Sequence, residues 1–197
     1  MSWPRALAAL TAVAALSGCA TVRMHRLRAD YEQVDRSRTK RLVVVTQPLP
    51  DGKPKVGELF ALIAKRYVNM KRDFIVKKAL FQAEPFQPQA VCGDGLEGVL
   101  WLHPTVTAVA GGMEEQLEAR LLRCGDGEEV WAADAGGSFP STDERLTQVT
   151  LDYVAEVGAE VGPYVAPAMN LLRPTLDTLP FPVLTEQDKD EKIELGE

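Results

Sequence analysis

The chain has 197 residues, 46% hydrophobic and 25% charged, which suits a single domain with a packed core and argues against wholesale disorder. Its net charge of −6 hides an asymmetry: residues 1–78 carry 16 Lys and Arg against 6 Asp and Glu, and residues 79–197 carry 6 against 22. No apolar run reaches the ~18–20 residues that a spanning helix needs, so a polytopic membrane protein is excluded. The basic residues come without Gly-aromatic interleaving or a zinc-finger or RNP pattern, so nucleic acid is not an expected partner. The basic half suits an anionic surface that the acidic half would repel, but uneven, solvated charge is the simpler reading and the one preferred.

Arg5 supplies a positive start, Ala6 to Leu16 form an 11-residue apolar stretch, and Leu16-Ser17-Gly18-Cys19 follows. A run this short, with a basic flank and small residues after it, reads as a secretion signal over residues 1–18. Leu-Ser-Gly-Cys also resembles the lipobox of bacterial lipoproteins. That resemblance implies cleavage between Gly18 and Cys19, diacylglycerol on the Cys19 thiol and acylation of the new amino terminus, palmitate being the expected chain. Several acyl chains give stable anchoring where one does not, at about 0.8 kcal/mol per buried methylene. Ala20 follows the cysteine, where an Asp is the usual inner-membrane retention signal in Gram-negative lipoproteins. The resemblance therefore implies the outer membrane, on its periplasmic face.

Residues 20–41 contain seven basic side chains and no sustained apolar period, which predicts a tether spanning residues 19–41 with the lipidated terminus. Such a tether serves either as a plain spacer or as a basic segment against anionic headgroups. Leu42-Val43-Val44-Val45-Thr46 is a short β-branched run that predicts a strand buried on both faces. Between Lys55 and Val68, the residues Val56, Leu59, Phe60, Leu62, Ile63, Tyr67 and Val68 recur at helical spacing. A second strand is predicted from Phe74 to Phe81, completing a βαβ unit. Pro85 and Pro88 mark an irregular connection.

Three strand-like runs follow: Gly98 to Ala110, Gln116 to Cys124 and Glu129 to Ala135. Pro104 requires an edge position or a bulge. Gly111-Gly112 and Gly125-Asp126-Gly127 read as the turns of a meander. Ser141 with Glu144 has the form of a capping box opening a helix that continues through Leu146, Val149, Tyr153, Val154, Val157 and Val161. Pro163 stops or kinks it, and a short helix from Tyr164 to Leu172 ends before Pro174. Residues 174–197 are Pro-spaced and then acidic, and predict a loose tail. The result is one α/β (α+β) domain over residues 42–173. It has a mixed sheet of about five strands with helices packed on it, in the order β-α-β-β-β-β-α-α. This layout resembles, in topology alone, small α/β domains of Gram-negative envelope lipoproteins and assembly accessory factors.

Cys92 and Cys124 sit in matching Cys-Gly-Asp-Gly segments. If Gly111-Gly112 is a hairpin turn, both fold back to one end of the sheet, and an oxidising compartment then favours a Cys92–Cys124 disulfide over two separate thiols. Asp94 and Asp126 lack the spacing of a calcium loop, and two scattered histidines, His25 and His103, do not make a zinc site. No catalytic motif or metal pattern is present, no cofactor is expected, and Glu114-Glu115 reads as a solubility feature at a turn. Trp101, Trp131 and Phe60 are candidates for core packing, for a patch that receives a protein partner, or for the lining of a cavity between sheet and helices. The expected function is a non-catalytic accessory or structural role in the cell envelope, exercised through a protein partner beside the membrane. The alternatives are a small-molecule or lipid-binding domain, and a hydrolase in which His103 meets a carboxylate and a nucleophile.

Overall fold

A computed structural model describes residues 21–47, 49, 53–82 and 87–195. The elements in chain order are β1 (Thr21–Leu27), α1 (Tyr31–Val34), β2 (Arg41–Thr46), α2 (Pro54–Lys71), β3 (Ile75–Phe81), β4 (Gly98–Val109), β5 (Gly112–Arg123), β6 (Glu129–Pro140), α3 (Thr147–Val157), α4 (Gly162–Leu176) and α5 (Glu186–Glu194). Six strands form one mixed sheet in the order β1-β6-β5-β4-β2-β3. β2 runs parallel to β3 and β4, as the strand–helix–strand reading required, and the other pairs are antiparallel.

Helices cover one face of the sheet. Leu59, Phe60 and Ile63 of α2 and Val165, Leu171 and Leu172 of α4 pack with Leu42, Val44, Leu100, Leu102, Leu121 and Trp131 in one apolar cluster. The second face carries a small cluster of Val43, Val45 and Val99, covered by Leu80, Val91, Leu96, Trp101 and the two cysteines. β2 is therefore buried on both sides, and its continuous Val run has two different apolar neighbours to meet.

Pro104 is accommodated by an edge. Gln47 donates its backbone N–H to the Leu102 carbonyl, so Leu102 presents its polar groups toward β2. Pro104, two residues on, presents its nitrogen to that same side, but the β2 pairing ends at Leu102. The β4–β5 register runs unbroken through the proline.

Four expectations are corrected. The tether over 19–41 is not one where it is described: residues 21–27 form the edge strand β1 against β6, with Thr21 opposite Gly136 and Leu27 opposite Trp131. Tyr31 and Asp35 are buried behind it. Backbone pairing explains this: residues 23–27 are all exposed, so β1 is held by its hydrogen bonds to β6 and needs no apolar period. The 174–197 tail is also structured. α4 runs to Leu176 with Pro167 and Pro174 inside it, and α5 docks with Asp188 buried. Finally, Ser141 caps nothing. Asp143 accepts the N–H of Arg145 at the start of a single 3-10 turn, and a capping box is instead formed by Thr185 with Asp188. Pro163 opens α4 instead of closing a helix, because proline's missing N–H costs nothing in a first turn.

Candidate functional site

Gly18 and Cys19 lie outside the described residues. The first described pairing is at Thr21, two residues after Cys19. Two extended residues reach at most about 7 Å, so any anchor on Cys19 is held close to the β1 end of the sheet.

Cys92 and Cys124 are joined in a disulfide, with α-carbons 5.5 Å apart and 32 residues between them in sequence. The bond ties the irregular segment after β3 to the end of β5. That segment includes Val91 and Leu96, which cover the second apolar cluster. Both cysteines stand at the end of the sheet opposite Thr21.

The same opposite end gathers charge. Lys40 donates to Asp188 at 2.6 Å, and Arg41 donates to Asp188 at 2.6 Å and to Glu191 at 2.9 Å. Glu97 accepts the backbone N–H groups of Lys40 and Arg41 at 2.7 and 2.9 Å, and Lys77 also pairs with Glu191. Burial opposes the charge on Asp188, but hydrogen bonds from Lys40, Thr185 and Arg41 outweigh it and hold its carboxyl well below the usual carboxylate range. Arg28 with Asp30 and Glu128, and Arg123 with Asp126, extend the network. At the Thr21 end, residues 105–113 and 136–142 contain no charged side chain, and Arg23, Glu114 and the Asp143–Arg145 pair border them.

The aromatic trio does not converge. Phe60 and Trp131 are fully buried in the helix-side core, whereas Trp101 is half-buried on the second face. A strand's side chains alternate, so Trp101 points away from Leu100 and Leu102, which join that core. Lying on opposite faces of the sheet, these three residues do not line one cavity. Trp101 instead lies beside His103, ring centroids 5.6 Å apart, with the Arg120 guanidinium 5.9 Å from its ring. His103 stands opposite Glu118 across the β4–β5 pair. An open groove of about 430 Å³ lies elsewhere, between α2, α3 and α4, lined by Ile63, Tyr67, Met70, Tyr153, Met169 and Arg173 among others. Among the described residues, no group of three or more His, Cys, Asp or Glu side chains is placed to hold a metal ion. No described helix is long and apolar enough to cross a membrane.

Glu115 is the residue that sequence reasoning misplaced. It is fully buried, and neither carboxylate oxygen has a hydrogen-bond partner. Burial pushes its carboxyl up to about 8, so it is protonated at neutral pH. The signal was its parity: Met113, Glu115, Leu117, Ala119 and Leu121 alternate onto one face, and the other four are buried apolar residues.

No protein-family model matches the chain, and no curated protein matches it. Among solved structures it is similar to a PelC dodecamer subunit from Paraburkholderia phytofirmans, at 19% identity over 74% of this chain and 96% of that one, with a TM-score of 0.43. A point variant of the same dodecamer gives 18% identity, 76% and 99% coverage and a TM-score of 0.44. A neuraminyllactose-binding hemagglutinin homolog from Helicobacter pylori gives 9% identity, 81% and 90% coverage and a TM-score of 0.37. Likeness of this degree carries no functional information.

Proposed function

We propose that this chain is a lipoprotein of the Gram-negative envelope, held to the periplasmic face of the outer membrane by acyl chains on Cys19. Its folded part has a non-catalytic accessory or structural role there, exercised through a protein partner. The observation that carries this reading is how three cysteines divide. Cys92 and Cys124 are bonded to each other, which fits an oxidising compartment, and Cys19 alone remains, in Leu-Ser-Gly-Cys, to take a lipid. The mechanism is confinement. Anchoring restricts the domain to a surface and raises its effective concentration near other membrane-bound proteins. The charged end of the sheet, farthest from the anchor, is then offered to the periplasm and supplies electrostatic selectivity.

Mass spectrometry of the mature amino terminus tests the anchor: acylated Cys19 is the expected first residue. Cys19→Ser is expected to move the protein from the membrane to the soluble fraction, and retention in the membrane would overturn the reading. Crosslinking in intact cells followed by capture tests the partner. Recovery of the chain alone, at every crosslinker length, would overturn the accessory role.

A further inference from the structure

The sheet register fixes how far the β4–β5 hairpin extends relative to the start of β1. Thr21 of β1 stands opposite Gly136 of β6, Gly136 opposite Gln116 of β5, and Gln116 opposite Thr105 of β4. Thr21 and Thr105 are therefore level across four strands. β1 runs antiparallel to β4, so the direction that leads from Thr21 back to Cys19 is the direction that leads from Thr105 on to Val109. Val109 is four residues further, about 13 Å at the strand rise, whereas Cys19 is two residues beyond Thr21 and reaches at most about 7 Å. The β4–β5 hairpin thus projects past the anchored residue, from a position three strands away.

The hairpin is built for such a position. Thr107, Ala108, Val109, Ala110 and Gly111 are all exposed, and no side chain from Thr105 to Met113 is charged. Gly111 turns the chain at a φ of +79°, and Gly112 brings β5 so close to β6 that a Cβ there would stand 2.1 Å from the Phe139 carbonyl oxygen. Past the end of β6 lies an open groove of about 420 Å³ whose lining combines Leu151, 56% exposed, and Pro163 with the hydroxyls of Ser141 and three threonines and the carboxylate of Asp143, a mixed surface suited to headgroups rather than hydrocarbon. The buried ion pairs are at the other end of the sheet, and the exposed Asp143–Arg145 pair lies past β6 at this one. An acidic body turned this way keeps its charge off an anionic surface.

Resting on the Cys19 anchor proposed above, we infer that the tip of the β4–β5 hairpin, residues 107–111, is a second membrane contact that seats in the phospholipid headgroup layer beside the acyl chains. The contact is shallow. The turn's exposed backbone N–H and C=O groups need water, which the headgroup layer supplies and the hydrocarbon does not. Its small side chains displace little lipid. Two contacts about three strand spacings apart stop the domain swinging freely about a single point, and they hold the charged end facing the periplasm.

The test uses the lipidated full-length mature protein in vesicles of phosphatidylethanolamine and phosphatidylglycerol. An environment-sensitive nitrobenzoxadiazole label is placed at Val109→Cys, and in a second sample at Glu186→Cys, whose side chain is 88% exposed at the opposite end. Vesicle flotation is measured first, then emission with and without shallow nitroxide-labelled lipid. The expected result is a blue shift and quenching at position 109, with unshifted, unquenched emission at position 186. If Val109→Cys does not fold, Ala110→Cys reads the same surface. Flotation with equal emission at the two positions overturns the hairpin contact and leaves the anchor standing. A protein that does not float overturns the anchor and the hairpin contact together.

Discussion

Lys40 and Asp188 are 148 residues apart in sequence and meet at 2.6 Å, with both side chains almost fully buried. The pair ties the C-terminal helix α5 to the start of β2. Asp188 also accepts from Thr185 and Arg41, so one carboxylate caps its own helix and docks it. Breaking a buried pair by removing one partner leaves the other charge uncompensated, at a cost of about 3–5 kcal/mol. Asp188→Ala is expected to lose stability in that range in chemical denaturation, and to release α5 to proteolysis first. A variant as stable as the parent would show that α5 is not held through this contact.

Acid acts on the same contact. The Asp188 carboxyl is depressed in the folded chain, and Lys77 and Arg41 depress Glu191 as well. A depressed carboxyl contributes stability that is present above its unfolded value and is lost as pH falls through its folded value. The unfolded value is about 4, so α5 is expected to loosen progressively below that pH. Hydrogen exchange of residues 186–194 between neutral pH and pH 3 reads this directly.

Glu115 works in the opposite direction. Its carboxyl is raised to about 8, so the folded state holds a proton that the unfolded state releases near pH 4. Stability from this group is complete below the unfolded value and falls as pH rises through about 8. Counted from the usual glutamate value of 4.5 up to pH 7, the loss is about 3 kcal/mol, at 1.36 kcal/mol per pH unit. Glu115→Leu, close in volume and apolar, is expected to raise stability at pH 7–8 by about 2–3 kcal/mol and to flatten its pH dependence there. A parallel downward curve in parent and variant would refute the assignment.

The Cys92–Cys124 bond closes a loop of 32 residues and is expected to contribute roughly 3–4 kcal/mol through the unfolded chain. The double variant Cys92→Ala, Cys124→Ala should lose that much in denaturation and should expose Trp101 to quenchers, because the cysteines and Trp101 pack against the same small cluster of Val43, Val45 and Val99. Unchanged Trp101 accessibility would mean that the second apolar cluster closes without the bond.

Gly112→Ala tests the hairpin's construction. The added Cβ meets the backbone of Phe139, which has no flexible end to move aside, so β5 and β6 must part locally. The expected loss is about 1–3 kcal/mol, with altered amide shifts around residues 137–140. An unperturbed spectrum there would show that the close approach is not obligatory.

The meander was legible in the sequence because its turns carry chemistry: Gly111 and Gly127 take positive φ, and the strands between them alternate. The paired cysteines were legible because those turns fold both back to one end. β1 was not. Its residues Thr-Val-Arg-Met-His-Arg-Leu show no apolar face, and only its hydrogen bonds to β6 make it a strand. Glu115 was hidden by its neighbour Glu114, since two adjacent acids suggest a turn when parity is not counted along the whole strand.

Local order came from the sequence alone: which runs extend, where they turn, which faces are apolar, and a Leu-Ser-Gly-Cys motif written in four consecutive residues. The tertiary structure decided what depends on distant neighbours. It placed residues 21–27 in the sheet, split Trp101 from Phe60 and Trp131 across its two faces, buried Asp188 on Lys40, and carried the β4–β5 hairpin tip past the level of Thr21. The physical reason is that periodicity and turn chemistry act over a few residues. Edge pairing, buried charge and the level of one strand against another are set by backbone hydrogen bonds and desolvation between segments a hundred residues apart.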